Sequence, residues 1–81
     1  MKYVAEWCPI CDQGWVLIVK EIKAGLFYFC CEECEAEWNI NDQITNTTCL
    51  PFDMYGKYEF FTEEELRKNG LDKYVIKEIP N

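Results

Sequence analysis

Histidine and serine are both absent from the 81-residue chain. Without them the commonest general base and the serine nucleophile are missing, which excludes Ser/His and Cys/His hydrolase chemistry. Cations are scarce too. Eight Lys and Arg stand against 15 Asp and Glu, a formal net charge of −7. The few cations are dispersed, so no basic stripe is available for a phosphate backbone and direct nucleic-acid binding is not expected. Long apolar runs are also missing: Trp15 to Val19 stops at Lys20, far short of the ~20 residues a membrane span requires. Met1 to Trp7 offers no apolar h-region and no small-residue cleavage site, so the expectation is a cytoplasmic protein without secretory signal or membrane segment. Thiols in that compartment stay reduced or metal-bound rather than paired as disulfides.

What the chain does have is six cysteines, 16% aromatic and 49% hydrophobic residues. That is too apolar for disorder. A chain this short buries only roughly 60–65% of its unfolded surface, so its core is marginal and a staple such as a metal is common. The expected organisation is a single domain over 1–81: a zinc-binding hairpin and helix over 1–40, with a C-terminal extension over 49–81 packed on it.

Trp15 to Ile22 is rich in β-branched residues and reads as a strand, and Leu26 to Cys30 reads as a second. The turn Lys23-Ala24-Gly25 between them predicts an antiparallel hairpin. From Cys31 to Ile40 the chain spaces Cys34 and Trp38 at i, i+4 and loads the segment's start with carboxylates, which predicts a short helix. Its acids, Glu32, Glu33, Glu35 and Glu37, then read as a solvated helix face. Asn41 to Thr48 is a polar linker, and Cys49 to Gly56 an irregular apolar stretch. Tyr58 to Phe61 is a short strand. Thr62-Glu63-Glu64-Glu65 matches a capping box, with Glu65 reaching back to the Thr62 amide. Arg67 and Lys68 then lead to a stop at Gly70, and Lys73 to Ile79 is a last strand. The fold class is α+β: a small zinc-bound β-hairpin plus a short helix, extended by a C-terminal strand-helix-strand.

The chemistry sits in the cysteines. Cys8-x-x-Cys11 and Cys31-x-x-Cys34 are separated by nineteen residues, inside the spacing of a zinc site built from two cysteine knuckles. Cys8, Cys11, Cys31 and Cys34 are therefore the expected ligands of one structural Zn²⁺. Cys30 competes with Cys31, because Cys30-x₃-Cys34 is an alternative pair. Adjacent strand residues point to opposite sides, so only one of them should ligate; the two-residue spacing favours Cys31. Cys49 reads as a small buried hydrophobe. A thioredoxin-like role for the first pair lacks its βαβ setting. Four thiolates leave no open position on the metal, which points away from an enzyme.

Cys8-Pro9-x-Cys11, the hairpin, and Cys31-Glu32-Glu33-Cys34-Glu35-Ala36-x-Trp38 resemble small bacterial zinc-ribbon or treble-clef proteins. The alternative Phe29-Cys30-x₃-Cys34 reading is similar to TRASH and MYM-type zinc domains. The resemblance covers residues 7 to 38, and Asp12 stands where a knuckle often places Gly. It implies structural cysteines and an adaptor role. The function expected is a non-enzymatic protein-interaction module with an unidentified protein partner. Two further classes stand beside it: a thiol- or metal-responsive redox switch using Cys30, and an acidic mimic that occupies a basic nucleic-acid-binding protein. Trp7, Trp15 and Trp38 are expected in the core around the metal. Among Tyr55, Tyr58, Phe60 and Phe61, at least one is expected to be exposed.

Overall fold

Along Trp15–Glu21 the side chains alternate between two apolar layers: Val16 and Ile18 enter one, Leu17 and Val19 the other, and all four are buried. A strand covered on both faces reads as a continuous apolar run, which is why this one is so legible. The computed structural model describes residues 1–51 and 54–80. Phe52 and Asp53, in the apolar stretch Cys49 to Gly56, and Asn81 lie outside the described residues.

The elements are β1 (Lys2–Trp7), β2 (Trp15–Glu21), β3 (Phe27–Cys31), β4 (Glu37–Asn39), β5 (Tyr58–Glu59), α1 (Glu63–Lys68), a 3₁₀ turn (Asp72–Tyr74) and β6 (Lys77–Ile79). They form a mostly antiparallel sheet in the order β4-β3-β2-β1-β6, with β5 also pairing to β2. The expected hairpin is present, with Val16 opposite Cys31 and Lys20 opposite Phe27. One face carries Tyr3, Ile18, Phe29, Trp38, Leu66 and Leu71. The other carries Val4, Leu17, Val19, Tyr28 and Cys30.

The structure departs from the sequence reading in several places. Lys2–Trp7, where the sequence pattern predicts no strand, forms β1, which pairs with β2 and, on its other edge, with β6. The helix expected after Cys31 does not form. Glu32 to Cys34 is a turn, Glu35 takes a left-handed φ of 61°, and the chain then enters β4 against β3. A left-handed residue ends any helix at that point. The run from Glu33 to Ile40 alternates acid or amide with Cys34, Ala36, Trp38 and Ile40, and these four pack on one core face. A period of two satisfies the same positions as i, i+4, and pairing to β3 selects the strand.

The C-terminal helix is where the sequence puts it. Thr62 caps α1 by accepting from the Glu65 amide at 3.2 Å. The carboxylate of Glu65 takes Lys20 Nζ as its main partner, at 2.7 Å, instead of serving chiefly the Thr62 amide. At the other end the Leu71 amide donates to Leu66 O at 2.9 Å and the Gly70 amide to Arg67 O at 3.1 Å. Gly70 has φ 69°, the left-handed conformation that this closure requires and glycine adopts freely. Leu66 and Leu71 are buried together in the first core layer. Beyond it the strand expected over Lys73 to Ile79 divides into the 3₁₀ turn and β6. Among the described residues no helix is long and apolar enough to cross a membrane.

Candidate metal centre

Each Cys-x-x-Cys pair lies in the loop between two neighbouring antiparallel strands. Cys8 and Cys11 lie between β1 and β2; Cys31 closes β3 and Cys34 lies before β4. Because β2 and β3 are neighbours joined at their opposite ends, the two loops emerge side by side. Convergence of the four cysteines is thus a consequence of strand order.

The loops share a hydrogen-bond pattern despite different sequences. In the first, the Cys8 amide donates to Gly14 O at 2.9 Å and the Asp12 amide to Cys8 O at 3.2 Å. In the second, the Cys31 amide donates to Ala36 O at 2.9 Å and the Glu35 amide to Cys31 O at 3.1 Å. Asp12, at φ 54°, and Glu35, at φ 61°, both follow the second cysteine of a pair and both reverse the chain. Asp12 therefore takes the backbone conformation for which a knuckle often places Gly. Amides also aim at sulfur: Ile10 donates to Cys8 Sγ at 3.4 Å, Glu33 to Cys31 Sγ at 3.4 Å and Cys34 to Cys31 Sγ at 3.5 Å. Such bonds favour the thiolate form of a ligand.

The loops are pressed together at Gly14. A Cβ there would meet Glu33 Cγ at 2.5 Å and Cys31 Sγ at 3.3 Å, so a side chain would separate the pairs. Glu32 ties the junction: its amide donates to Trp15 O at 3.0 Å, and its carboxylate accepts from the Trp15 amide at 3.2 Å. Lys2 adds an ion pair to the same carboxylate at 3.5 Å.

All four Sγ atoms lie within 4.8 Å of one another. Across the loops, Cys8 Sγ is 3.7 Å from Cys34 Sγ and Cys11 Sγ is 3.7 Å from Cys31 Sγ. Four sulfurs at about 2.3 Å from a tetrahedral zinc are about 3.8 Å apart, while a disulfide bond needs about 2.05 Å. The cluster fits an ion and not a bridge; the six cysteines are free thiols. Cys8 and Cys31 are buried, Cys11 and Cys34 half-buried. Burial pushes the Cys31 thiol up to about 12, against the pull of the Cys34 and Glu33 amides, and raises Cys34 as well. The Gln13 amide lowers Cys11. A divalent cation at the centre reverses the cost of ionising such buried thiols.

Cys30 is not in the cluster. It lies on the opposite face, packed with Val4, Leu17, Val19 and Tyr28, and burial pushes its thiol up to about 12. Strand alternation decides between the neighbours: Cys31 faces the layer of Val16, Cys30 that of Leu17. The redox alternative needs Cys30 beside the site, and Cys30 packs in the other core layer. Cys49 is half-buried against the first core layer, with its thiol toward Leu50 O at 3.4 Å.

Of the three tryptophans only Trp38 is fully buried, its indole N–H donating to Thr45 O at 2.9 Å. Trp7 is 39% exposed and stands edge-on to half-buried Trp15, so the expectation of three core tryptophans is corrected. Phe60, at 41% exposure, is the outward aromatic of its group. Glu37, expected on a solvated face, is 4% exposed and accepts from the Tyr55 amide at 3.1 Å; strand β4 turns it inward. Compared with known protein families, with curated proteins and with solved structures, the chain has no match.

Proposed function

We propose that the chain is a zinc-binding protein in which Cys8, Cys11, Cys31 and Cys34 hold one structural ion. The observation that carries this reading is the set of four sulfurs within 4.8 Å, on two loops of matching hydrogen-bond pattern. A tetrahedral all-sulfur site selects zinc or an iron–sulfur centre, and a closed zinc site of this kind serves structure. Zinc, when bound, supplies the positive charge that keeps four thiolates ionised, and its binding free energy is folding free energy. The second pair leads into a strand, which favours the zinc-ribbon reading over a treble clef. Cys30 facing the other core layer speaks against the TRASH and MYM-type alternative.

The protein's task, in this proposal, is that of a non-enzymatic interaction module in the cytoplasm. Its support is the net charge of −7 together with exposed Trp7 and Ile10 beside the site. Aromatic side chains of this kind anchor interfaces, and carboxylates steer basic partners. Native mass spectrometry of the purified chain tests the metal: one zinc per chain, lost to a strong chelator together with the fold. A metal-free chain with an unchanged melting temperature would overturn it. Affinity capture from the source cytoplasm, with the chelated protein as control, tests the adaptor role; capture that ignores zinc would contradict it.

A further inference from the structure

On the first core face lies a cleft of about 260 Å³. Ala5, Phe29 and Ile44 form its apolar floor, Tyr74 a wall, and the exposed carboxylates of Glu6 and Asp42 stand at its rim. The wall is held in place: Tyr74 packs edge-on to Phe29 at 5.4 Å between centroids, and its hydroxyl donates to Asn41 Oδ1 at 2.6 Å. Asn41 reaches that position with φ 80°, a left-handed conformation that Asn tolerates.

The rim is charged on one side only. The ion pairs of the described residues join Lys2 to Glu32, Lys20 to Glu65 and Arg67 to Glu63, so neither Glu6 nor Asp42 has a cationic partner among them. Lys73 holds its Nζ over the Tyr74 ring, 5.2 Å from the centroid, and is not among the lining residues, so an incoming cation shares that ring with it. Glu6 accepts from the Trp7 amide and Asp42 from the Asn39 side-chain amide, which leaves acceptor capacity on both.

We infer that this cleft receives an arginine side chain from the surface of a basic partner protein. The inference rests on the reading of the chain as an interaction module and names the face it uses. An arginine stem covers apolar surface while its head stays polar. Its planar guanidinium stacks on an aromatic wall and bonds carboxylates in a fixed fork, which lysine cannot match. Overall acidity brings such a partner in, and the unpaired rim decides where it docks.

The test is ¹H–¹⁵N NMR of the full zinc-loaded chain titrated with capped Gly-Arg-Gly, with citrulline and lysine versions as controls. Shifts should concentrate at Ala5, Glu6, Ile44 and Tyr74, with the arginine peptide binding more tightly than either control. Glu6→Gln with Asp42→Asn should weaken it about fivefold. Glu59→Gln with Glu64→Gln removes the same formal charge elsewhere and should leave affinity within about twofold. Equal loss in both double variants, equal binding of citrulline, or shifts centred on another face would each overturn the cleft. A captured partner that binds the Glu6/Asp42 variant unchanged would leave the adaptor reading standing and remove this site alone.

Discussion

The two ends of the sheet are closed in different ways. At one end two loops carry left-handed Asp12 and Glu35, and four sulfurs face each other across a gap of ion size. At the other, α1 is capped by Thr62, closed through Gly70 and pinned by Leu66 and Leu71 in the core. The second end is held by helix-end hydrogen bonds, the Lys20–Glu65 ion pair and apolar burial. The first brings four thiols together at a separation that can hold a metal ion. Cys8 and Cys31 belong to the same core layer as Leu66 and Leu71, and this couples the ends.

On the zinc reading, metal removal should separate the two ends most. Chelation, or Cys31→Ser, should abolish zinc retention and unfold the knuckle end, since structural zinc contributes on the order of 10 kcal/mol at neutral pH; zinc stoichiometry and circular dichroism check this together. At the capped end, Leu66→Ala should cost about 2–5 kcal/mol by deleting buried methyls, measured by denaturant unfolding, with one zinc still bound. Between the loops, Gly14→Ala should cost about 1–3 kcal/mol through overpacking and should also weaken zinc retention, because the added methyl meets Glu33 and Cys31. On the far face, Cys30→Ala should cost only about 1 kcal/mol and leave the zinc content unchanged.

The smallest effect concerns pH at the capped end. The Lys20 ammonium, bonded to Glu65, holds that carboxyl below its ordinary 4.5. A folded-state depression of this sign contributes stability above the unfolded value and loses it as pH falls through the folded one. Glu65→Gln should therefore lower stability slightly near neutrality, where the contribution is fully present, and flatten the acid limb, with the difference from the native chain vanishing below the folded value in denaturant unfolding across pH.

These contrasts also explain what was legible beforehand. The β2–β3 hairpin, the Thr62 cap, the Gly70 stop and the two cysteine pairs are written in local residue types and spacings, so they can be read without tertiary information. Strand β4 was not. Cys34, Ala36, Trp38 and Ile40 fit both a helix stripe and a strand face, and only the free edge of β3 decides between them. Strand β1 was hidden because its six residues carry few β-branched side chains, and its partner β6 lies at the far end of the chain. Cys31 rather than Cys30 was favoured from spacing, but the proof that the pair straddles the sheet lies in the register Val16–Cys31 and Leu17–Cys30. Gly14 showed nothing in sequence, since its role is to let a second loop approach.

If the zinc reading holds, the sulfurs of Cys8, Cys11, Cys31 and Cys34, and nothing else, surround one ion. X-ray absorption at the zinc edge on the purified protein tests it most directly. A single shell of four sulfurs at about 2.3 Å is expected, unchanged in Cys30→Ala. An oxygen in the native shell, or a shell that changes when Cys30 is replaced, would contradict it.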